Sequence, residues 1–120
     1  MKSFVYTFLL IMISACHAQH SQKTTVIDLA TFKEAIGKKV QLVDVRTATE
    51  YNAGHIEDAI HIDIRDRERF AKEILKLEKT KPVYLYCHSG VRSHKASKLM
   101  EELGFTTIYD FAKGWKAWNE

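Results

Sequence analysis

The chain has 120 residues, 46% of them hydrophobic and 28% charged, with five glycines and one proline. That composition belongs to a packed globular domain, excludes a disordered or collagen-like chain, and leaves no room for a second large domain. Eighteen basic residues against 15 acidic ones give a formal net charge of +3, too even a balance for the concentrated basic face that nucleic-acid binding requires.

The chain opens with Lys2 and the run Phe4-Val5-Tyr6-Thr7-Phe8-Leu9-Leu10-Ile11-Met12-Ile13, followed by small Ser14 and Ala15 and then Cys16. A membrane span needs about 20 apolar residues. This run is too short for that and has the build of a secretory signal's apolar core. Residues 1–18 are therefore expected to be a signal peptide. Two processing routes stand open. Ile13-Ser14-Ala15-Cys16 resembles a bacterial lipoprotein cleavage box, which would make Cys16 the lipidated first residue. Cleavage after Ala18 is the alternative, with Cys16 and Ala18 flanking His17. Either route puts the domain in the bacterial cell envelope, on the periplasmic side, with lipid on Cys16 as its only expected membrane contact. Residues 19–24 read as a polar tether, and 25–120 as the folded domain.

Along that domain, Thr25-Val26-Ile27 reads as a short strand. Thr31-Phe32-Lys33-Glu34 has capping-box spacing and predicts a short helix through Ile36, stopped by Gly37. Val40–Val45 is β-branched and almost wholly apolar, the pattern of a strand covered on both faces. A second capping box, Thr47-Ala48-Thr49-Glu50, predicts a helix ending at Gly54. Ala59–Ile62 predicts a strand. The helical period of Phe70, Ala71, Ile74, Leu75 and Leu77 predicts a helix over 67–77. Val83–Tyr86 predicts a strand that runs straight into Cys87. Val91, Ala96, Leu99, Met100 and Leu103 line one face of the next helix, capped by Gly104. Phe105–Tyr109 predicts a last strand, and Trp115–Trp118 a final helical turn. Strands alternating with helices at these lengths predict an α/β fold: a small, mainly parallel sheet with helices on both faces. Such sheets bind ligands at the carboxyl ends of their strands, where Cys87 and the residues after Val45 both fall.

Cys16 and Cys87 are the only cysteines. With Cys16 acylated or removed, Cys87 has no partner for an internal disulfide. Its setting is strand, tight loop, helix: Tyr86-Cys87-His88-Ser89-Gly90-Val91-Arg92-Ser93. A cysteine there faces the loop amides and the positive end of the next helix, and both favour a thiolate. The N–H groups of residues 88–92 are able to converge as an anion nest. Gly90 lets the loop close, and Arg92 supplies planar donors for an oxyanion. A plain core cysteine at a strand end is the bland competitor.

Three segments of the sequence resemble the signatures of single-domain rhodaneses (sulfurtransferases). Asp44-Val45-Arg46 with Glu50-Tyr51 and Gly54-His55-Ile56 is similar to the first. Cys87–Ser93 is similar to the active-site loop. Gly104-Phe105 with Gly114-Trp115-Lys116-Ala117-Trp118 is similar to the closing segment. The resemblance spans residues 25–118. It departs from the usual pattern at Glu57-Asp58-Ala59, where many members have Pro-Gly-Ala, and at Lys113-Gly114, where many have Gly-Gly. It implies that Cys87 takes the outer sulfur of a donor such as thiosulfate, carries it as a persulfide, and yields it to cyanide or a thiol. Loop amides from His88, Ser89, Gly90 and Val91, with Arg92 and the His88 side chain, would hold the donor. Ser93, Asp44 and Arg46 would support the loop, with direct contact by Arg46 as the other reading. The resemblance implies no metal or organic cofactor and small-molecule partners, and the domain is taken as a monomer.

The six histidines form no compact ligand cluster of the usual zinc spacing. Two rival functions are weighed. In a Cys-dependent phosphatase the arginine stands six residues after the cysteine, whereas Arg92 is five after Cys87 and Ser93 holds the sixth place. A non-catalytic persulfide carrier or envelope binding module on the same fold is the second rival, since fold alone does not establish turnover.

Overall fold

The structure, a computed structural model, describes residues 23–120. The expected signal peptide, Cys16 and the first part of the tether lie outside the described residues. Within them the chain runs β1 (Thr24–Val26), α1 (Leu29–Ile36), β2 (Gln41–Asp44), α2 (Ala48–Ala53), β3 (Ile60–His61), α3 (Arg67–Ile74), β4 (Val83–Tyr86), α4 (Val91–Glu102), β5 (Ile108–Phe111) and α5 (Gly114–Trp118). The five strands form one sheet in the order β1-β5-β4-β2-β3, and every pairing is parallel. This is the α/β fold expected from the alternating pattern.

Side chains alternate across the sheet, and two apolar layers result. On one face Val43, Leu85 and Ile108 meet Phe70 and Ile74 of α3 and Ala96, Leu99 and Met100 of α4. On the other, Leu42, Tyr86 and Phe111 meet Phe32 of α1, Tyr51 of α2 and Trp115 and Trp118 of α5. Phe32 stacks on Phe111 with ring centroids 4.3 Å apart. The chain leaves β2 in one direction towards β3 and returns on the other side to β4. The carboxyl ends of β2 and β4 therefore flank the point where strand order reverses, the usual ligand crevice of such sheets.

Several element ends differ from expectation, each for a local reason. The first helix starts at Leu29, because the Asp28 carboxylate accepts the Thr31 amide at 2.8 Å and caps the helix one turn before the Thr31 box. The helix expected to reach Leu77 ends at Ile74. Lys76 and Leu77 then donate three residues back, to Glu73 and Ile74, the tighter bonding of a 3₁₀ exit. The last strand was expected over Phe105–Tyr109 and instead spans Ile108–Phe111. Phe105 is occupied in closing α4: its N–H bonds the Met100 carbonyl while Gly104, at φ +96°, bonds Glu101. That pairing is a Schellman cap. The Thr47–Glu50 capping box forms as the spacing predicts, with both reciprocal bonds present. Asp58, standing where relatives of the resembled pattern carry glycine, adopts φ +66°, a left-handed conformation that Asp tolerates better than most residues.

Candidate active site

Cys87 follows the last residue of central strand β4. It is 1% exposed and belongs to the apolar layer under α4. Burial among apolar groups with the amides turned away would make it an ordinary core residue. The Gly90 amide instead points at Sγ from 3.0 Å, and the Ser93 hydroxyl lies 3.5 Å from it. Ser93 also donates to the Gly90 carbonyl. Gly90 itself sits at φ +105° as the residue before α4. The first N–H groups of α4, from Val91 to Ser93, have no carbonyl within the helix to meet. The sulfur therefore lies at the positive end of a twelve-residue helix.

A second device turns the loop this way round. The Trp115 amide donates to the Cys87 carbonyl at 2.8 Å, and the Lys116 amide to the His88 carbonyl at 3.1 Å. The start of α5 thus holds the loop's carbonyls on the far side. Gly114 makes that contact possible. A Cβ there would stand 2.5 Å from the Cys87 oxygen and 2.6 Å from the His88 oxygen. Ala112 closes on Gly90 in the same way, its carbonyl oxygen 2.7 Å from where a Gly90 Cβ would be. Sequence reasoning gave Gly114 no site role beyond its place in the closing segment.

Asp44 and Arg46 sit beside the loop, under the sheet's other face. Arg46 is 2% exposed. Its Nε and Nη2 engage both Asp44 oxygens at 2.7–3.1 Å, Nη2 also donates to the Gly54 carbonyl, and the guanidinium lies 4.8 Å from the Trp115 ring centroid. Tyr86 donates to Asp44 at 2.7 Å and accepts from the Ile56 amide. Burial, with the Asp44 carboxylate beside it, pushes the Tyr86 phenol upward. This network ties β2, β4 and the Gly54–Ile56 turn together directly below the crevice.

Arg92 is half-buried and makes a two-pronged ion pair with Glu50 of α2, at 2.6 and 2.9 Å. Glu50 was read from sequence as a helix cap; the structure adds this second duty. The Arg92 hydrogen bonds, helped by the Thr47 cap, hold the Glu50 carboxyl down to about 2. Two of the five N–H groups of Arg92 go to Glu50, which leaves three for a ligand. His88 and Ser89 are exposed, and Val91 is 67% exposed at the mouth. A groove of about 570 Å³ opens beside the loop, lined by Glu50, Gly54, His88, Trp115 and Asn119, with Arg46 at its floor. His55 stands apart from the sulfur, stacked on Tyr51 and bonded to the Tyr51 carbonyl. Among the described residues no three His, Cys, Asp or Glu side chains come together as a metal site.

Comparison with known proteins bears on the family and the fold. The family described as Rhodanese-like domain matches residues 28–120. The chain belongs to that family. It is 32% identical over 83 residues to the thiosulfate sulfurtransferase GlpE of Shewanella oneidensis, covering 69% of this chain and 79% of GlpE. It is 35% identical over 95 residues to the tRNA uridine(34) hydroxylase of Pelagibacter ubique, covering 78% of this chain but only 32% of the hydroxylase. The chain thus spans about a third of that relative's length. Among solved structures, an uncharacterized protein from Saccharomyces cerevisiae superposes with a TM-score of 0.69 at 28% identity, over 79% of this chain and 90% of its own.

Proposed function

We propose that this rhodanese-like domain is a sulfurtransferase that carries sulfane sulfur on Cys87. The observation that supports it most directly is the Gly90 amide aimed at Sγ from the start of α4. A donor such as thiosulfate enters at the loop mouth, its oxyanion end facing Arg92 and His88. The Cys87 thiolate attacks the outer sulfur. An S–S bond forms to Cys87 while the donor's own S–S bond breaks, and sulfite leaves with that electron pair. The resulting persulfide anion is held by Gly90 and the free amides of the first turn of α4. Cyanide or a thiolate then attacks the outer sulfur, and thiocyanate or a new persulfide departs as Cys87 returns to thiolate. Splitting the transfer through a covalent intermediate makes the kinetics ping-pong.

The placement of Ser93 argues against phosphate-ester chemistry. The sixth residue after Cys87 is a small hydroxyl turned inward on the sulfur and on Gly90, not an arginine. The loop is shorter as a result and suits a single sulfur atom.

The test is thiosulfate-to-cyanide transfer by the mature domain. Mass spectrometry after thiosulfate treatment should find one added sulfur on Cys87, and Cys87→Ser should lose both loading and turnover. Wild-type activity no higher than that of Cys87→Ser refutes the proposal, while loading without repeated turnover would mark the domain as a carrier. The same reading has the domain exported through residues 1–18. A lipid-sized mass on Cys16 would support anchoring, and a chain starting at Gln19 would reject it.

A further inference from the structure

Arg46 holds more donors than its network uses. A guanidinium carries five N–H groups. Nε and one N–H of Nη2 go to Asp44, and the other N–H of Nη2 goes to the Gly54 carbonyl at 2.7 Å. The two N–H groups of Nη1 have no partner among the described residues. Nη1 is not sealed either: among the described residues, Asp110 Oδ1 is the one side-chain polar atom both sealed and unpartnered. The third nitrogen of a guanidinium lies opposite the edge formed by the other two, so Nη1 faces away from Asp44. The Gly54 carbonyl and the Trp115 ring, 4.8 Å from the guanidinium carbon, bracket this head group. Both residues line the groove beside the Cys87 loop, and Arg46 lines it with them. A cation 2% exposed with two N–H groups unmade leaves charge-assisted hydrogen bonds for a ligand to supply.

We propose that Nη1 of Arg46 is the anchor of an acceptor subsite, and that the acceptor is a small thiol bearing a carboxylate. His88, the residue after Cys87, lines the same groove. An acceptor with its sulfur at the loop mouth therefore lays its carboxylate towards Arg46, with the Trp115 ring against its methylene chain. The negative charges nearby are already met. Glu50 is paired with Arg92 at 2.6 and 2.9 Å, and Asp44 accepts from the Arg46 amide and the Tyr86 hydroxyl as well as from the guanidinium. The guanidinium is held in place before any ligand arrives, so little freedom is lost when one binds. The acceptor's thiolate attacks the outer sulfur of the Cys87 persulfide. An S–S bond forms to the acceptor, the S–S bond to Cys87 breaks, and Cys87 leaves with that electron pair as a thiolate. Arg46 touches only the carboxylate and decides which thiol is accepted.

The inference rests on the proposed sulfur transfer for the role of its ligand, so one of its two tests needs no turnover. 3-Mercaptopropionate and 3-mercaptopropionamide share a chain length and differ at the carboxylate. With thiosulfate as donor, the wild-type KM for the acid should lie about fivefold or more below that for the amide. Arg46→Lys keeps a cation beside Asp44 but has no Nη1. It should raise the KM of the acid and bring the two values within about twofold of each other. The second test adds 3-(methylthio)propionate, which has the carboxylate and no thiol, to the wild-type protein. The guanidinium NMR signals of Arg46 should shift and saturate, and 3-(methylthio)propionamide should leave them in place. This titration decides alone if Arg46→Lys does not fold. Equal wild-type KM values for acid and amide, or a titration in which Arg92 moves and Arg46 does not, would overturn the inference. A protein whose Arg46 signals shift as expected but whose Cys87 never takes sulfur from thiosulfate would sink the proposed function and leave the carboxylate site standing.

Discussion

Replacing Gly114 by Ala tests whether the loop around Cys87 is held from behind. Gly114 sits at φ +59°, a left-handed conformation that costs a residue with a Cβ about 1–2 kcal/mol. The new methyl would also meet the Cys87 and His88 oxygens at 2.5 and 2.6 Å, where real Cβ contacts stay beyond 3.0 Å. Either α5 or the loop must retreat by at least about 0.5 Å, and overpacking of this kind costs about 1–3 kcal/mol. The summed loss of about 2–5 kcal/mol lies below the total stability of most domains, so the variant should still fold. Its sulfur, however, sits in a displaced cradle. A misplacement of about 1 Å costs roughly 100-fold in rate, so persulfide formation from thiosulfate should slow by about 10- to 100-fold. Loading is timed by mass spectrometry and stability is taken from urea unfolding. Gly37→Ala is the control, because Gly37 lies at φ −67° and its nearest Cβ neighbour is an ordinary 3.5 Å away. A Gly114→Ala domain that loads within twofold of wild type and unfolds at the same urea concentration would refute this account of the loop.

Glu50→Gln should destabilise the domain at neutral pH and make no difference in strong acid. The folded carboxyl titrates near 2 instead of 4.5. Its contribution is therefore present above 4.5 and fades as pH falls towards 2. Because Glu50 remains 32% exposed, solvent screening reduces that contribution to about 1–2 kcal/mol. Unfolding curves at pH 7 and pH 2 check it, and an equal loss at both would contradict the ion pair. Arg46→Met strands the buried Asp44 carboxylate and should cost about 3–5 kcal/mol in urea unfolding; a loss under about 1 kcal/mol would show that the network is idle. Tyr86→Phe removes a donor from Asp44 and an acceptor from the Ile56 amide, which should cost about 1–3 kcal/mol by the same measurement.

What the sequence disclosed depended on how far apart the cooperating residues lie. The Thr47–Glu50 cap is made within four residues, and the spacing alone announced it. Strand β4 and the loop after it were legible because apolar run, cysteine, glycine and helix follow one another without a gap. The ends of α1 and β5 were missed where two local rules competed. Asp28 outbid Thr31 as a cap, and Phe105 was drawn into closing α4 before it could begin a strand. The second role of Glu50 was invisible because Arg92 lies 42 residues further on, and no periodicity connects them. Asp110 fell one residue beyond the strand expected over Phe105–Tyr109, yet it lies buried within β5. Only the sheet register, which sets it between Val26 and Leu85, shows where it goes.

The orientation of the Cys87 loop depends on two segments that contribute nothing to the sulfur's own surface. A four-residue loop has carbonyls as well as amides, and a carbonyl turned inward would repel a thiolate as strongly as an amide attracts it. The site needs somewhere to send the carbonyls. The α5 amides of Trp115 and Lys116 accept that task for Cys87 and His88, and they reach those oxygens because residue 114 has no side chain. Lys113, which takes the place of the first glycine in many relatives of the resembled pattern, has φ −69° and needs no such freedom. The substitution is harmless at 113 and would be damaging at 114. A chain of this family that kept its cysteine but lost the second glycine should therefore fold with a thiol that reacts slowly, a result that Cys87 alkylation in Gly114→Ala would read directly.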